Sequence, residues 1–104
     1  MENFNLITCI VQRGRAEKIT SAALKVGATG VTYYHGRGTG VRQTLGKVST
    51  LIIPEKEIVL LVVSEEQTDV VFSAIVKASK LDKKGNGIAY VTKIDRAVGF
   101  VESS

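Results

Sequence analysis

The sequence predicts an α+β domain with a four-stranded antiparallel sheet and two helices on one face of that sheet. Three observations support this prediction: hydrophobic periods that alternate between strand-like and helix-like, turn residues at each change of period, and the resulting order β-α-β-β-α-β. That order commonly folds as a split βαβ unit, the ferredoxin-like βαββαβ arrangement. With 104 residues and no linker-like segment, residues 1–104 are predicted to form a single domain.

The first strand and the first helix are predicted from the N-terminal quarter. Residues 4–11 are mostly apolar at both alternating sets of positions, which is typical of a central strand. In residues 15–26 the apolar side chains recur every three or four positions, which predicts a helix with one buried stripe. Gly27 follows where a left-handed residue commonly ends a helix. The predicted stripe consists of Ala16, Ile19, Ala23 and Val26.

The middle of the chain contains two strands separated by a long connection. Residues 30–34 and 57–63 are rich in β-branched and apolar residues and are predicted as the second and third strands. Residues 41–53 show no convincing period and are followed by Pro54, the only proline. A connection of this length in a small domain is often a binding loop.

The C-terminal part supplies the second helix and the fourth strand. Ser64 and Gln67 are spaced as a capping box, and the helix is predicted to extend to about residue 79. Residues 80–87 are predicted as a turn, in which Asn86 tolerates a positive φ between two glycines. Residues 88–94 are the fourth strand, which we expect to extend toward residue 101. The second helix is predicted to bury Val71, Ala74, Ile75 and Ala78.

Residues 58–63 of the third strand are apolar on both faces, although two helices cover only one face of the sheet. In a monomer the uncovered side chains would remain in water, at a cost of roughly 1.5–3 kcal/mol for each large one. Contiguous apolar surface usually marks an interface. We therefore predict that the open face is buried against other copies of the chain. A sheet face covered by residues 41–53 is the alternative.

Composition limits the classes of function. The net charge is +4, and the basic residues are dispersed apart from Lys80, Lys83 and Lys84, without the basic stripe and interleaved aromatics of a nucleic-acid binder. The sequence shows no apolar run long enough to cross a bilayer and no secretory-signal pattern. The single cysteine, Cys9, is predicted to be a small buried hydrophobic residue. We expect a cytoplasmic protein.

Residues 35–40, HGRGTG, place three glycines at alternate positions beside an arginine and the only histidine. Their spacing matches neither the dinucleotide fingerprint nor a P-loop. Arg37 and Arg42 flank the glycines and are candidate phosphate ligands, although a loop arginine is more often solvated. His35 has no companion metal ligand at useful spacing and is predicted to lie at the end of the second strand.

Three segments together resemble the PII signal-transduction (nitrogen regulatory protein P-II) family. They are GATGVTYYHGRGTG at residues 27–40, PEKEIVLLVV at residues 54–63 and KKGNGIAYV at residues 83–91. Each segment has the order and the position on strand or turn that it has in the family. The resemblance extends from residue 6 to about residue 100.

This resemblance implies a non-catalytic cytoplasmic homotrimer that binds an adenine nucleotide in clefts between subunits. It also implies a mobile loop, the T-loop, at about residues 41–53, which docks on a transporter or enzyme and regulates it. Glycine turns suit such a site because they present unobstructed N–H groups to phosphate oxygens. The matching positions are Thr32 at the adenine, Gly38 and Gly40 at the base of the T-loop, and Gly85, Asn86 and Gly87 in the turn that wraps phosphates from the neighbouring chain.

The chain departs from the family where the family usually carries charge. Ile88 replaces the phosphate-binding lysine, Gly99 and Val101 replace two phosphate-clamping arginines, Val59 replaces the acidic residue beside the adenine, and Glu55 replaces a lysine linked to 2-oxoglutarate. Residues 41–53 also contain no tyrosine for uridylylation. Losing three cations removes charge-assisted hydrogen bonds worth about 1.5–3 kcal/mol each. AMP or ADP is therefore expected rather than magnesium-bound ATP with 2-oxoglutarate.

The predicted function is that of a regulator that requires no cofactor, has no metal ligand among its candidate site residues and is recruited by a partner, a membrane transporter or channel. Two alternatives share the fold. One is a structural trimer that binds no ligand or is related to trimeric metal-tolerance proteins. The other is an acylphosphatase-like hydrolase with a phosphate site at Arg13, before the first helix. An RNA-recognition module is poorly supported, because the third strand has no aromatic residue on which a base can stack.

Overall fold

The computed structural model describes residues 3–38, 55–83 and 85–99, and these residues form four strands and two helices. The sheet has the strand order β2-β3-β1-β4, and each neighbouring pair is antiparallel. The predicted ferredoxin-like arrangement is confirmed, with β1 and β3 as the central strands. Along the chain the elements are β1 (Phe4–Gln12), α1 (Ala16–Lys25), β2 (Thr32–Arg37), β3 (Glu55–Ser64), α2 (Glu65–Ser79) and β4 (Gly87–Ile94).

The hydrophobic core lies between the two helices and one face of the sheet. Residues directly opposite each other on paired strands project from the same face. Cys9 pairs with Val59 on one side and Ala89 on the other, which defines the helix-covered face. Its largest buried side chains, with those of the helices, are Ile7, Val11, Ile19, Val59, Leu61, Val63, Val71 and Ile75.

The opposite face of the sheet carries apolar side chains that neither helix covers. On this face Thr8 lies between Leu60 and Tyr90 of the neighbouring strands. Ile88 and Tyr34 are 55% and 52% exposed, so apolar surface reaches both edges of the sheet. The prediction that β3 is apolar on both faces is confirmed. Further large apolar side chains of the open face are half-buried, among them Leu6, Ile10, Ile58, Leu60 and Val62.

Each helix has a buried stripe close to the predicted one. Ala16, Ile19 and Ala23 of α1 are buried, as are Val71 and Ile75 of α2. The outer members of the predicted stripes, Val26, Ala74 and Ala78, are half-buried. Of the two helices described, neither combines the length and apolar character needed to cross a lipid bilayer.

The end of α1 agrees with the sequence, whereas the start of α2 does not. Gly27 follows α1 with a φ of +104°, the expected left-handed conformation. Ser64 has the extended conformation of an N-cap residue but makes no side-chain capping hydrogen bond, so the predicted capping box is wrong. One long-range and one local hydrogen bond are found at this helix start instead. The backbone N–H of Glu65 donates to the carbonyl of Asn3 at 2.9 Å, and Thr68 Oγ1 donates to the carbonyl of Ser64 at 2.8 Å.

The predicted boundaries of β2 are also wrong, and the expected extension of β4 beyond residue 94 is absent from residues 95–99. β2 begins at Thr32 rather than residue 30 and continues to Arg37, because residues 35–37 complete the ladder with residues 55–57 of β3. His35 therefore lies inside the strand rather than at its end. β4 ends at Ile94, and residues 95–99 form no strand. The predicted T-loop at residues 41–53, together with Gly40 and Arg42, lies outside the described residues.

Candidate functional site

The described residues that were predicted to bind phosphate lie at one end of the sheet. β2 ends at Arg37 where β3 begins, and β4 begins at Gly87 where β1 ends. Arg37 is exposed, and Gly38 follows it in a half-buried position. Gly85 and Asn86, which precede β4, are also half-buried. The sheet thus brings both candidate segments to the same end of the molecule.

The two segments nevertheless belong to opposite edges of the sheet. Arg37 ends edge strand β2, whereas Gly87 begins edge strand β4, and the two central strands lie between them. Three strand spacings of about 4.8 Å separate the edges by about 14 Å. A phosphate held by one segment is therefore out of hydrogen-bond reach of the other segment in the same chain.

The turn before β4 is shaped by backbone contacts. Gly87 has a φ of +134°, and a side chain there would collide with the carbonyl oxygen of Ile10 on β1. Only glycine fits this close approach of two backbones. Gln12 Nε2 donates a hydrogen bond of 3.0 Å to the carbonyl of Gly85 and ties the turn to the end of β1. Gln12 was missed by the sequence reasoning, because no local pattern marks a contact across 73 residues.

Asn86 stabilises the turn in a different way from the one predicted. Its φ is not positive, so the prediction of a positive φ at this residue is wrong. Among the described non-glycine residues, Lys80 alone has a positive φ, of 54°. Asn86 Nδ2 donates a hydrogen bond of 2.9 Å to the carbonyl of Lys80, and its backbone N–H donates to the carbonyl of Lys83 at 3.3 Å. The asparagine thus closes the loop between α2 and β4.

The residue predicted to contact the adenine is Thr32, which is exposed on the open face of β2 opposite Leu60. It lies five residues before Arg37, or about 17 Å along an extended strand. Tyr34, two residues after Thr32, lies on the same face as Thr32 and is 52% exposed, whereas Arg37 is at an odd position and projects from the other face. This face of the edge strand therefore offers a hydroxyl and an aromatic ring. The sequence reasoning did not select Tyr34, although its two-residue spacing from Thr32 could have indicated the shared face.

The start of α1 is occupied by a carboxylate of the chain itself. Glu57 Oε1 accepts hydrogen bonds from the backbone N–H groups of Gly14 at 2.8 Å and Ala16 at 2.9 Å. The hydrogen bond from Ala16 is the main cause that holds the pKa of Glu57 below its ordinary value. Arg13 Nη1 lies 2.9 Å from Glu55 Oε2 in an exposed ion pair. The anion site required by the acylphosphatase-like alternative is thus already filled, which contradicts that alternative.

Glu57 carries a second contact with β2. Its Oε2 atom lies 3.2 Å from His35 Nε2. One carboxylate on β3 therefore contacts both the start of α1 and strand β2. Glu57 is only 7% exposed. The sequence reasoning missed this role, but a signal existed: residue 57 is two residues before Val59 and therefore on the helix-covered face. An acidic residue in register with buried positions indicates a buried partner.

The positions that depart from the family pattern have distinct surroundings. Val59 is fully buried under the helices and offers nothing to a ligand. Ile88 is 55% exposed on the open face of β4. Gly99 is exposed, and Val101 lies outside the described residues. Glu55, at the start of β3, is held in its ion pair with Arg13. None of the three described positions at Val59, Ile88 and Gly99 supplies a cation or an acid.

Neither Cys9 nor the acidic residues of the described ranges form a nucleophilic or metal-binding site. Cys9 is fully buried, as predicted, and burial raises the pKa of its thiol to about 11. A thiol that stays protonated is a poor nucleophile. Within residues 3–38, 55–83 and 85–99, no three His, Cys, Asp or Glu side chains are grouped as ligands for a metal ion.

Comparison with known proteins assigns the chain to a family. A family model described as nitrogen regulatory protein P-II matches residues 4–101. The chain belongs to this family. P-II proteins are regulatory proteins of signal transduction that bind small molecules, and they are generally not catalysts.

A solved structure supports the assignment independently. Arabidopsis thaliana PII bound to citrate is 27% identical in sequence to this P-II protein, with a TM-score of 0.68. The match covers 86% of this chain and 76% of the Arabidopsis chain. None of the curated proteins compared with the chain matches it.

Proposed function

We propose that this P-II protein is a non-catalytic regulator that binds an adenine nucleotide, AMP or ADP rather than magnesium-bound ATP, between neighbouring subunits. The nucleotide changes the T-loop at about residues 41–53, and this loop acts on a membrane transporter or channel. The protein is cytoplasmic and reaches the membrane through that partner. One observation carries the proposal: the two candidate phosphate-binding segments lie at the same end of the sheet but on opposite edges.

A ring of subunits brings the two candidate phosphate-binding segments together, each from a different chain. β2 and β4 are different edges of the same sheet, so contact between β2 of one chain and β4 of the next is head-to-tail and can close into a ring. In such a ring Arg37 and Gly38 of one subunit approach the Gly85–Gly87 turn of its neighbour. The site is then complete only in the assembled protein. The trimeric state of the family supplies the number of subunits.

The open face of the sheet supplies energy for such an assembly. Leu60 at its centre and Ile88 at its edge are surrounded by further apolar side chains of the same face. Each large apolar side chain removed from water contributes roughly 1.5–3 kcal/mol. A face of this extent on a small domain supports burial against other subunits.

The charge of the site favours a nucleotide with few phosphates. Among the described residues at the two segments, Arg37 supplies a cation, and the glycine turn is left with backbone N–H groups other than that of Asn86, which donates to the carbonyl of Lys83. The cationic side chains that would balance a triphosphate are replaced by Ile88 and Gly99. The citrate bound to the Arabidopsis protein shows that a protein of this fold can hold a small anion. AMP and ADP require less positive charge than ATP, and they retain the adenine that we assign to the exposed face of β2 at Thr32 and Tyr34.

Calorimetry on the assembled full-length protein tests the proposal. AMP or ADP should bind, ATP with magnesium should bind more weakly, and the corresponding cyclic nucleotides should be compared in the same series. Arg37→Gln should reduce the affinity for ADP by about tenfold and the affinity for adenosine hardly at all, since a lost charge-assisted hydrogen bond to phosphate is worth about 1.5–3 kcal/mol. Lys25→Gln, an equal charge change on α1, is the matched control and should leave both affinities unchanged.

The loop part of the proposal has its own measurement. Limited proteolysis should cut residues 41–53 at a different rate when the nucleotide is bound, because the ligand must contact the two loop states differently. Absence of heat from every nucleotide, with the folded trimer verified by sedimentation, would reject the nucleotide sensor and favour the structural trimer. Heat without a change in proteolysis would reject signalling through the loop.

A further inference from the structure

An open groove runs along the flank of α2 and into the turn that follows it. Its volume is about 560 Å³. Ala78 borders α1 in a separate depression, so the stripe that lines this groove is on the flank of α2 that points away from α1. The groove residues are Phe72, Ser73, Val76, Lys77, Lys80, Asp82 and Lys83.

The floor of the groove is apolar and the surface beside it is also apolar. Phe72 packs against the core and is half-buried, as is Val76 one turn later. Val70 is 55% exposed and lies three residues before Ser73, which places it beside the groove on the helix surface. An apolar side chain of a partner therefore finds a contact surface here that does not require the core to open.

The rim of the groove is basic, and its charges are not committed elsewhere. Lys77, Lys80 and Lys83 have no ion-pair partner among the described residues, and Asp82 is the single acid in the lining. Lysines near a helix C-terminus often serve the last carbonyl groups. Here two of those carbonyls already have donors from elsewhere in the chain. Val76 O accepts the backbone N–H of Leu81 at 3.1 Å, and Ser79 O accepts Arg15 Nη1 at 3.0 Å.

Lys80 occupies a backbone conformation that an L side chain rarely adopts. It is the C-cap of α2, with φ 54° and ψ 42°, where glycine or asparagine is the common choice. Two hydrogen bonds to its carbonyl hold this conformation, one from Asn86 Nδ2 and one from the backbone N–H of Lys83. This turn places Lys80 and Lys83, which lie on either side of it, in the lining of the same groove.

We propose that this groove binds an acidic segment of a partner protein that inserts an apolar side chain between its carboxylates. Charge complementarity argues for this occupant, since three lysines face one aspartate around an apolar floor. The groove lies on the helix layer, whereas Thr32 and Arg37 lie on edge strand β2. One end of the groove adjoins the candidate phosphate turn, because Asn86 donates hydrogen bonds to the carbonyls of Lys80 and Lys83. The peptide and the nucleotide are nevertheless different ligands with different measurements, so neither test decides the other.

Fluorescence anisotropy with a synthetic probe tests the proposal on the assembled full-length protein. The probe is a short fluorescein-labelled peptide in which pairs of glutamates alternate with leucines. The wild-type protein should bind it with an affinity that falls as salt rises. Lys77→Glu combined with Lys83→Glu should weaken binding by about tenfold or more, since each substitution turns an attraction into a repulsion. Lys18→Glu combined with Lys25→Glu on α1 makes the same charge change and should leave binding unchanged.

A second pair of variants separates docking in the groove from general electrostatic attraction. Val70→Ser should weaken binding about threefold at unchanged charge, whereas Leu24→Ser, at an exposed position on α1, should not. An equal loss of peptide binding in the Lys77→Glu, Lys83→Glu variant and in the Lys18→Glu, Lys25→Glu control would overturn the proposal. So would equal binding of a peptide with serine in place of leucine, or groove-dependent binding of phosphatidylserine vesicles without binding of the peptide. Circular dichroism and sedimentation of each variant establish that the fold and the assembly are retained.

Discussion

Glu57 Oε1 lies 2.9 Å from the backbone nitrogen of Ala16, a residue 41 positions earlier in the chain. The N-cap residue of α1, Arg15, makes no side-chain capping hydrogen bond, so a carboxylate from β3 performs that function. The same carboxylate accepts the N–H of Gly14 and faces His35 on β2. One buried side chain thus joins α1, β3 and β2 next to the root of the predicted T-loop.

Replacing Glu57 with alanine should destabilise the fold. The substitution leaves the N–H of buried Ala16 without an acceptor, and we expect a loss of about 2 kcal/mol in the free energy of unfolding. Urea denaturation at neutral pH is the measurement. Glu55→Ala is the matched control, because it removes a carboxylate from an exposed ion pair and should cost less than about 0.5 kcal/mol. Similar losses for both variants would contradict the capping role.

The stability of the protein should also depend on pH through Glu57. Hydrogen bonding, chiefly from Ala16, keeps the pKa of this carboxyl in the folded state below its ordinary value of 4.5. The ionised carboxylate therefore contributes its full stability above pH 4.5 and loses it as the pH falls through the lower pKa of the folded state. Urea denaturation between pH 6 and pH 3 should show a steeper fall for wild type than for Glu57→Gln. Parallel curves would exclude Glu57 as a source of this pH dependence.

Gly87 and Gly85 offer a matched pair for testing the close approach of β4 to β1. Both have positive φ values, but only at Gly87 would a Cβ meet the carbonyl oxygen of Ile10, while nothing lies within 4 Å of a Cβ at Gly85. Gly85→Ala should cost about 1–2 kcal/mol for the left-handed backbone alone. Gly87→Ala should cost about 1–3 kcal/mol more, because the two backbones must move apart. Chemical denaturation compares the two, and equal costs would show that the approach is not tight.

A charge on the open face should break the proposed assembly. Leu60→Lys places an ammonium group at the centre of this face, where burial against another subunit would leave it unpaired. Sedimentation velocity should then show a folded monomer in place of the trimer. Leu24→Lys puts the same group on α1, at a position 49% exposed, and should leave the sedimentation coefficient unchanged. A trimer in both variants would place the subunit interface elsewhere.

Ile88→Lys should increase the affinity for ATP. The side chain of Ile88 is 55% exposed immediately after the glycine turn, at the position where the family resemblance implies a phosphate-binding lysine. A new charge-assisted hydrogen bond to phosphate is worth about 1.5–3 kcal/mol, or about tenfold or more in affinity. Calorimetry with ATP and magnesium measures the change, and Val70→Lys on α2 adds the same charge away from the site. An equal gain in both variants would indicate a general effect of charge.

The sequence predicted the elements whose signals are local. The periods of β1, β3 and the two helices placed them correctly, and Gly27 indicated the end of α1. β2 was misplaced because the glycine and polar residues after Tyr34 look like a turn, whereas pairing with β3 carries the strand on to Arg37. At the site, the sequence selected the glycine turn but missed Gln12 and Glu57. Gln12 bonds to a carbonyl 73 residues away, and Glu57 accepts N–H groups 41 and 43 residues away, so no local pattern identifies these partners.

By itself, the sequence determined the order of the elements and the apolar character of both sheet faces, because hydrophobic periods depend only on neighbouring residues. Only the tertiary structure decided that the two candidate phosphate-binding segments share one end of the sheet and lie on opposite edges. It also placed the Glu57 carboxylate at the start of α1, the position at which the acylphosphatase-like alternative requires a phosphate. These outcomes depend on which strands pair and in which register. Pairing and register are determined by the packing of the whole core and not by any single segment.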